Sequence, residues 1–150
     1  RGKVEFIEEN PFAMENGSVQ TSLFQYKKQD DSKLIEYKED GLSGFGITGE
    51  PLNLLYLENP YIEVVMSSDN SAPIYLNVGC GDFCQATVDL GKFSGDWETK
   101  NIPFSCFDKQ GFDRSKLTIR SMFLSPEVTN FKIHTVKIKS NFSGRSIKGC

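Results

Sequence analysis

The sequence has no surplus of positive charge. Its 150 residues include 17 Lys and Arg against 20 Asp and Glu, which gives a net charge of −3. The basic residues are scattered along the chain, so no cluster is available to neutralise a phosphate backbone. We therefore expect no nucleic-acid partner.

Long apolar runs are also absent. No segment approaches the roughly 20 consecutive apolar residues that a membrane-spanning helix needs. The charged start Arg1–Glu5 lacks the apolar stretch of a signal peptide. We expect a soluble domain, excised from a longer chain, with no membrane partner. The composition, with 38% hydrophobic and 25% charged residues, is globular, and the length suits one core.

No long segment has the helical period of apolar residues, and no internal repeat is present. Most segments instead alternate apolar and polar residues between Gly, Pro, Asn and Asp turns, which is the pattern of half-buried strands. The sequence predicts an all-β fold, a β-sandwich jelly roll with two antiparallel sheets and at most one short helix. The predicted strands are Lys3–Glu8, Ser22–Lys28, Leu34–Lys38, Tyr61–Ser67, Ile74–Gly79, Gln85–Leu90, Trp97–Pro103, Leu117–Leu124 and Asn130–Ser140.

The chain is predicted to form a single domain over residues 1–140. The segment 141–150 is small, polar and contains glycine, so we expect a loosely ordered tail there. The one predicted helix spans Pro51–Glu58, because proline suits a first helical position and Asn59-Pro60 would end the helix.

Cysteine and histidine are scarce, with four Cys and one His. A zinc site usually uses two close Cys pairs or nearby histidines, whereas here only Cys80 and Cys84 are close and His134 is distant. We predict a Cys80–Cys84 disulfide that closes a Gly-Asp-Phe turn. It implies an oxidising compartment, hence a secreted, periplasmic or cell-surface protein. The pairing of Cys106 and Cys150 stays open, and both being free is the simplest alternative.

Groups for catalysis are equally sparse. His134 lies in a predicted strand whose alternation changes phase at that point, which indicates a β-bulge. Adjacent acids such as Glu8-Glu9 and Asp30-Asp31 face opposite ways on a strand or are solvated in turns. A glycosidase needs two carboxylates that face each other across a cleft, and the sequence marks out no such pair. We expect no enzymatic activity, with a small jelly-roll glycanase or lyase as the alternative.

One glycine-rich motif suggests a different function. Gly44–Gly49 matches the G-x-G-x-x-G pattern of dinucleotide-binding folds, and Asp69 follows about 20 residues later, where those folds place an acid. That pattern needs the glycines directly after a strand and before a full helix. Here Glu39–Ser43 intervene, and the segment before Asn59 holds only about two helical turns. We interpret the glycines as turn and bend positions in a β protein.

Sugar recognition combines a flat aromatic face with hydrogen-bonding amides, carboxylates and cations. In the predicted strand Ile74–Gly79, alternation places Tyr75 and Asn77 on the outer face. Four further residues are added because they lie close to these two or carry suitable groups. The predicted carbohydrate site is Tyr37, Tyr75, Asn77, Asp82, Gln85 and Arg120. Trp97 is interpreted as a framework residue at the edge of the sandwich.

A series of short motifs follows in a fixed order. It consists of the Cys80-x3-Cys84 turn, a short strand, Trp97-x-Thr-x-x-Ile-Pro, a Ser105-Cys-Phe ending and the turn Gly111-x-Asp-x-Ser-Lys. This order resembles the galactose-binding-like C-terminal domain of family 3 exo-acting β-glucanases. The resemblance implies a jelly roll without its own active site, tethered to a catalytic glycoside hydrolase domain and contributing to polysaccharide binding. Tethering would raise the effective concentration of enzyme at a polymeric substrate.

These arguments together predict a non-catalytic carbohydrate-binding module. We expect a neutral polysaccharide ligand, most of all a β-glucan, because no basic cluster suits sulfated or uronic polymers. The alternative is a structural accessory domain that packs on a catalytic domain and binds no sugar, which an exposed apolar patch would favour. No cofactor is expected. A structural calcium ion stays open: the last strand, Ile133–Ile138, lacks the acid that the family carries there, and Glu5 and Glu8 are the remaining candidates.

Overall fold

The computed structural model describes residues 9–13, 19–37, 42–69, 71–127, 130–145, 147 and 150. No helix within these ranges is long and apolar enough to cross a membrane. The elements over these ranges are β1 (Glu9–Ala13), β2 (Val19–Phe24), β3 (Ser32–Tyr37), β4 (Ser43–Leu52), β5 (Tyr61–Ser68), β6 (Tyr75–Gly79), β7 (Gln85–Asp89), β8 (Glu98–Pro103), α1 (Ser105–Asp108), a 3-10 turn (Arg114–Lys116), β9 (Leu117–Ser125) and β10 (Asn130–Lys139).

The strands form two five-stranded antiparallel sheets. Sheet 1 has the order β1-β4-β9-β6-β7, and sheet 2 has the order β2-β3-β10-β5-β8. The pairs β2–β3 and β6–β7 are direct neighbours, whereas the chain passes from β4 in sheet 1 to β5 in sheet 2 and back to β6 in sheet 1. Two facing sheets linked by such crossings form a jelly-roll β-sandwich. The predicted fold class is confirmed.

The core lies between the two inner faces. From Ile62 to Met66 of β5, every second residue is a buried apolar one: Ile62, Val64 and Met66. Phe45 and Phe123 of sheet 1 stack with their ring centroids 4.8 Å apart, and Phe131 of sheet 2 meets Phe45 edge-on at 5.2 Å. Phenylalanine therefore serves chiefly to fill the space between the sheets, where it buries a large apolar area.

Most predicted strands agree closely with the observed ones. The observed strands β3 and β5 to β10 begin and end within two residues of their predictions. The predicted strand Ser22–Lys28 is shifted, because β2 ends at Phe24 and a loop follows. The predicted strand Lys3–Glu8 lies outside the described residues.

The segment between β3 and β5 differs from the prediction. β4 covers Ser43–Leu52 and pairs with both β1 and β9, so the glycines interpreted as turn positions lie inside a ten-residue strand. The predicted helix Pro51–Glu58 is wrong. The Asn53 side chain accepts the Leu55 N–H at 2.9 Å, and the Leu54 N–H donates to the Arg114 carbonyl at 2.8 Å. The N–H groups of Leu54 and Leu55 thus bond to partners outside any helical pattern. Side-chain bonds of the Asn53 kind compete with helix formation.

Two disulfides are present. Cys80 pairs with Cys84, as predicted, and Cys106 of α1 pairs with Cys150, so the alternative that the latter two are free is wrong. The Asn141 N–H donates to the Glu58 carbonyl at 2.6 Å. Asn141 and Cys150, at the two ends of the segment 141–150, are thus bonded to the rest of the protein, and the loose order expected of that segment stays a prediction.

The β-bulge at His134 is also present. The register between β10 and β5 shifts between Ile133 and Thr135, which leaves His134 as the extra residue. His134 Nε2 lies 3.4 Å from Asp31 Oδ2. Trp97, just before β8, packs against Tyr26 in a tilted arrangement with the ring centroids 4.2 Å apart. The bulge and the loop after β2 therefore meet on sheet 2, on the side of the molecule away from sheet 1.

Candidate functional site

The outer face of sheet 1 carries most of the predicted site. Its β6 and β7 strands alternate, so that Tyr75, Asn77, Gln85 and Thr87 point away from the core. Directly opposed residues in an antiparallel pair share a face, and the register sets Asn77 opposite Thr87 and Gly79 opposite Gln85. We call the three side chains of Asn77, Gln85 and Thr87 the polar strip.

Hydrogen bonds fix the polar strip internally. Asn77 Nδ2 donates to Thr87 Oγ1 at 2.8 Å and to Gln85 Oε1 at 3.3 Å. Asn77 is only 7% exposed, whereas Gln85 and Thr87 are both exposed. Asn77 therefore orients its two neighbours, and their amide and hydroxyl groups face solvent. Side chains held in place before binding lose less entropy when a ligand binds.

An apolar strip lies beside the polar strip. It consists of three β9 side chains that are in register with β6: Ile119, Met122 and Leu124. Gly79 allows Ile119 to lie directly on the β6 backbone, because a Cβ at Gly79 would be 3.0 Å from the Ile119 side chain. On the other side of β9, Met122 faces Gly46 of β4. Because Gly79 and Gly46 have no side chain, no side chain rises beside the apolar strip at these two positions.

Tyr75 stands at one end of both strips. It is 36% exposed, opposite Leu124 on β9 and opposite Asp89 on β7. An exposed aromatic ring beside apolar and hydrogen-bonding groups is the combination that binds the two sides of a pyranose, its C–H face and its hydroxyls. The predicted residues Tyr75, Asn77 and Gln85 are thus brought together on one surface.

The Cys80–Cys84 turn stands at the other end of the polar strip. Besides the disulfide, the Cys80 N–H donates to the Cys84 carbonyl at 2.8 Å, and the Gly81 N–H donates to Thr118 Oγ1 at 3.0 Å. Asp82 is exposed in this turn. Asp82 precedes Gln85 by three residues in the sequence. It thus lies near the end of the polar strip opposite Tyr75.

Phe83, next to Asp82, is absent from the predicted site, although its side chain is fully exposed. The sequence does contain a signal for it. Phe83 lies in a short turn closed by the Cys80–Cys84 disulfide, between two strands that place their apolar residues on the inner face.

Gln110 is the second residue that sequence reasoning missed. The Thr87 N–H donates to Gln110 Oε1 at 2.9 Å, and Gln110 Nε2 donates to the Thr87 carbonyl at 2.8 Å. These two bonds hold the β7 backbone directly beneath the polar strip. No sequence pattern points to this contact, since the two residues are far apart in the chain.

Tyr37 does not belong to this surface. It lies on the inner face of sheet 2 and is 5% exposed, with its ring edge-on to Phe131 and its hydroxyl donating to the Gly44 carbonyl. Burial raises the pKa of the Tyr37 hydroxyl well above its usual range, although the bond to Gly44 acts in the opposite direction. The prediction that Tyr37 contacts sugar does not fit this burial, and we leave it out of the site.

Arg120 follows Ile119 of the apolar strip along β9, at a bulge of that strand. The register with β4 shifts between Ile47 and Thr48, which leaves Arg120 as the extra residue. Its Nη2 donates to the Glu50 carbonyl at 3.1 Å, while its Nε is buried with no partner among the described residues. The guanidinium is partly engaged with β4, and its contact with sugar stays a prediction.

The described residues include no group of three or more His, Cys, Asp and Glu side chains that could hold a metal ion. Glu5 and Glu8, the candidate calcium ligands, lie outside the described residues.

The fold and the sequence are similar to those of known protein domains. A family model, Exop_C, described as galactose-binding domain-like, matches residues 4–138. The extra C-terminal domain (X) of the exo-1,3/1,4-β-glucanase ExoP from a Pseudoalteromonas species is similar with a TM-score of 0.71 and 16% identity, over 99% of this chain and 95% of that one. In the structure of ExoP itself the match has a TM-score of 0.65 and 20% identity, and covers 87% of this chain and 16% of that one.

A third similar structure contains a bound sugar. It is a family 11 carbohydrate-binding module from Clostridium thermocellum in complex with a β-1,3-1,4-mixed-linked tetrasaccharide, with a TM-score of 0.68 and 15% identity over 91% of each chain. At these identities, the likeness to solved structures establishes a shared fold. Among curated protein sequences, none is significantly similar to this chain.

Proposed function

This chain belongs to the Exop_C family of galactose-binding domain-like modules, and on that premise we propose that it is a non-catalytic carbohydrate-binding module. Its ligand is a neutral polysaccharide, a β-glucan, and the module holds a catalytic glycoside hydrolase domain near that substrate. Two relatives support this proposal. One is an extra domain of an exo-1,3/1,4-β-glucanase, and the other is a carbohydrate-binding module in complex with a mixed-linked tetrasaccharide.

The observation that carries the proposal is the surface made of Tyr75 and the polar strip. An exposed ring offers a flat face, and the amide and hydroxyl groups held by Asn77 can exchange hydrogen bonds with sugar hydroxyls. Two exposed acids flank this surface, Asp82 in the turn and Asp89 opposite Tyr75. They would repel uronic or sulfated polymers, so the surface favours a neutral ligand.

The two disulfides support an oxidising location. Cytosolic proteins rarely keep such bonds, whereas secreted, periplasmic and cell-surface proteins do. A module in these compartments meets polysaccharide that the cell cannot import intact. Tethering a catalytic domain to a weak binding module keeps the enzyme concentrated on such a polymer.

Affinity gel electrophoresis tests the proposal, with the protein run through gels that contain β-glucans, xylan, mannan or galactan. We expect β-glucan to retard the protein and the other polymers to retard it less. Tyr75→Ala should weaken β-glucan binding about ten-fold, because it removes the stacking ring. Tyr56→Ala is the matched control, since Tyr56 is also exposed but lies in the turn after β4.

Two results would contradict the proposal. A protein that no polymer retards would favour an accessory domain that binds no sugar. Equal retardation of the wild-type protein and Tyr75→Ala would remove Tyr75 from the site.

A further inference from the structure

Phe83 has two features that do not stabilise the folded state, an exposed ring and a positive φ. Its ring is more exposed than any other large apolar side chain among the described residues. Its backbone has φ +58°, in the left-handed region that side chains other than Gly, Asn and Asp seldom adopt. Neither an exposed ring nor a positive φ stabilises a fold.

The turn around Phe83 holds the ring in this position. The Cys80–Cys84 disulfide closes the turn, and the bond from the Gly81 N–H to Thr118 Oγ1 ties it to β9. The Cys84 N–H also donates to the Gly81 carbonyl at 3.2 Å. Conformations of this kind persist where the surroundings determine them strongly, and they concentrate at binding sites. The turn therefore holds the Phe83 ring exposed to solvent.

Tyr75 and the turn that carries Phe83 stand at opposite ends of the polar strip. Tyr75 and Gly79 are the ends of β6, and at about 3.3 Å per residue they lie roughly 13 Å apart, with the turn beyond Gly79. Gln85 and Thr87 lie between the two aromatic residues. A single pyranose ring is about as wide as one aromatic side chain, so it cannot reach both ends.

We propose that Phe83 is a sugar-stacking residue that makes the site selective for an extended oligosaccharide segment. The segment lies along β6, with one sugar ring on Tyr75, the following rings over the polar strip and a further ring on Phe83. Asp82, beside Phe83, accepts hydrogen bonds from the hydroxyls of that last ring. This inference rests on the proposed function and adds to it the length and direction of the bound chain.

The variant Phe83→Gly tests this inference without threatening the fold. Glycine adopts a positive φ freely, and the ring it replaces is fully exposed, so we expect the melting temperature to stay unchanged or to rise. Leu55→Gly is the matched control, because Leu55 is also an exposed apolar residue in a turn. Phe83→Tyr keeps a flat ring and should behave like the wild-type protein.

Binding is measured by isothermal titration calorimetry with mixed-linked β-glucan oligosaccharides, from disaccharide to hexasaccharide. For the wild-type protein, Phe83→Tyr and Leu55→Gly we expect affinity to rise with length until the ligand reaches both aromatic rings. For Phe83→Gly we expect that rise to be lost, with affinity for the longest ligands about ten-fold weaker.

The outcomes separate this inference from the proposed function. If the wild-type protein binds none of the oligosaccharides and no polysaccharide, the proposed function itself fails. If the wild-type protein binds with rising affinity and Phe83→Gly shows the same rise, the function stands and the role of Phe83 is overturned. Equal loss of binding in Phe83→Gly and Phe83→Tyr would also overturn stacking, since tyrosine retains the ring.

Discussion

At the scale of single residues, one buried carboxylate organises a whole loop. Asp31 accepts hydrogen bonds from the backbone N–H groups of Tyr26, Lys27 and Lys28 at 2.7–3.0 Å and from the Ser32 hydroxyl at 3.2 Å. Burial alone would raise the pKa of the Asp31 carboxyl, but these bonds outweigh it and hold the pKa well below its usual range. The loop after β2 thus depends on a charged Asp31.

This dependence predicts a specific loss of stability in acid. A lowered pKa contributes stability that is fully present above the ordinary Asp pKa, about 3.9, and is lost as the pH falls from there towards the native value. Asp31→Asn should lower stability at neutral pH and flatten its decline below about pH 4. Urea unfolding across this pH range measures the effect, with the fluorescence of Trp97 as the signal. Trp97 is the one tryptophan of the chain and contacts Tyr26 of the loop.

Asp30→Asn serves as the control for this experiment, because Asp30 is the exposed neighbour in the same loop. Asp30→Asn should leave the decline of stability below about pH 4 the same as in the wild-type protein. The interpretation fails if Asp31→Asn and the wild-type protein lose stability in parallel as the pH falls.

Single residues of the site were predictable only where alternation decides the face. Tyr75 sits in a clean alternating strand, and its outward position follows from that pattern. Tyr37 sits in a strand of mixed pattern, and its burial follows from the packing of sheet 2 on sheet 1. The burial of Asn77 beneath Gln85 follows from the register of β6 on β7, which sequence alternation does not contain.

At the scale of elements, the two disulfides close loops of different size. Cys80 and Cys84 are separated by 4 positions, whereas Cys106 and Cys150 are separated by 44. In the chain-entropy model, a bond across the longer interval stabilises by about 4 kcal/mol and one across the shorter interval by about 2 kcal/mol. The longer bond joins α1 to the end of the chain, and the shorter one shapes the turn that carries Phe83.

Paired Cys→Ser variants should therefore have different effects. We expect Cys106→Ser with Cys150→Ser to lower the free energy of unfolding more than Cys80→Ser with Cys84→Ser. The second pair should mainly weaken binding of long oligosaccharides, because it releases the turn. Chemical denaturation and the titrations described above measure the two effects. The reverse order of stabilities would show that the short bond supports the sandwich as well as its turn.

A strand could be predicted from the sequence where its apolar and polar residues alternate regularly. β5, β6 and β7 alternate clearly and were placed within two residues. β4 was missed because Gly44, Gly46 and Gly49 interrupt its alternation, and pairing with β1 and β9 on both sides makes it a strand nonetheless. The four-residue α1 is shorter than the span over which a helical period can be recognised.

At the scale of the whole molecule, the distribution of charge bears on the proposed neutral ligand. The chain carries a net charge of −3, and neither the polar strip nor the apolar strip contains a charged residue. Binding of a neutral β-glucan releases no bound ions and gains nothing from long-range attraction. Such binding should be insensitive to salt.

We therefore expect the affinity for β-glucan to change less than about two-fold between low and high salt. Isothermal titration calorimetry at several sodium chloride concentrations measures this directly. A charged polymer such as a uronic polysaccharide, titrated in parallel, provides the comparison. A steep fall of β-glucan affinity with salt would point to a ligand that carries charge.

The side chain of Gln110 has a consequence for how copies of this protein would meet when they are crowded together. The last strand of a sheet normally offers its backbone N–H and C=O groups to strands of other molecules. Gln110 already occupies those groups at Thr87, in the middle of β7, on the border of the proposed sugar-binding surface. Crowded side by side along a glucan chain, neighbouring copies would meet at this border without the open backbone that seeds strand exchange.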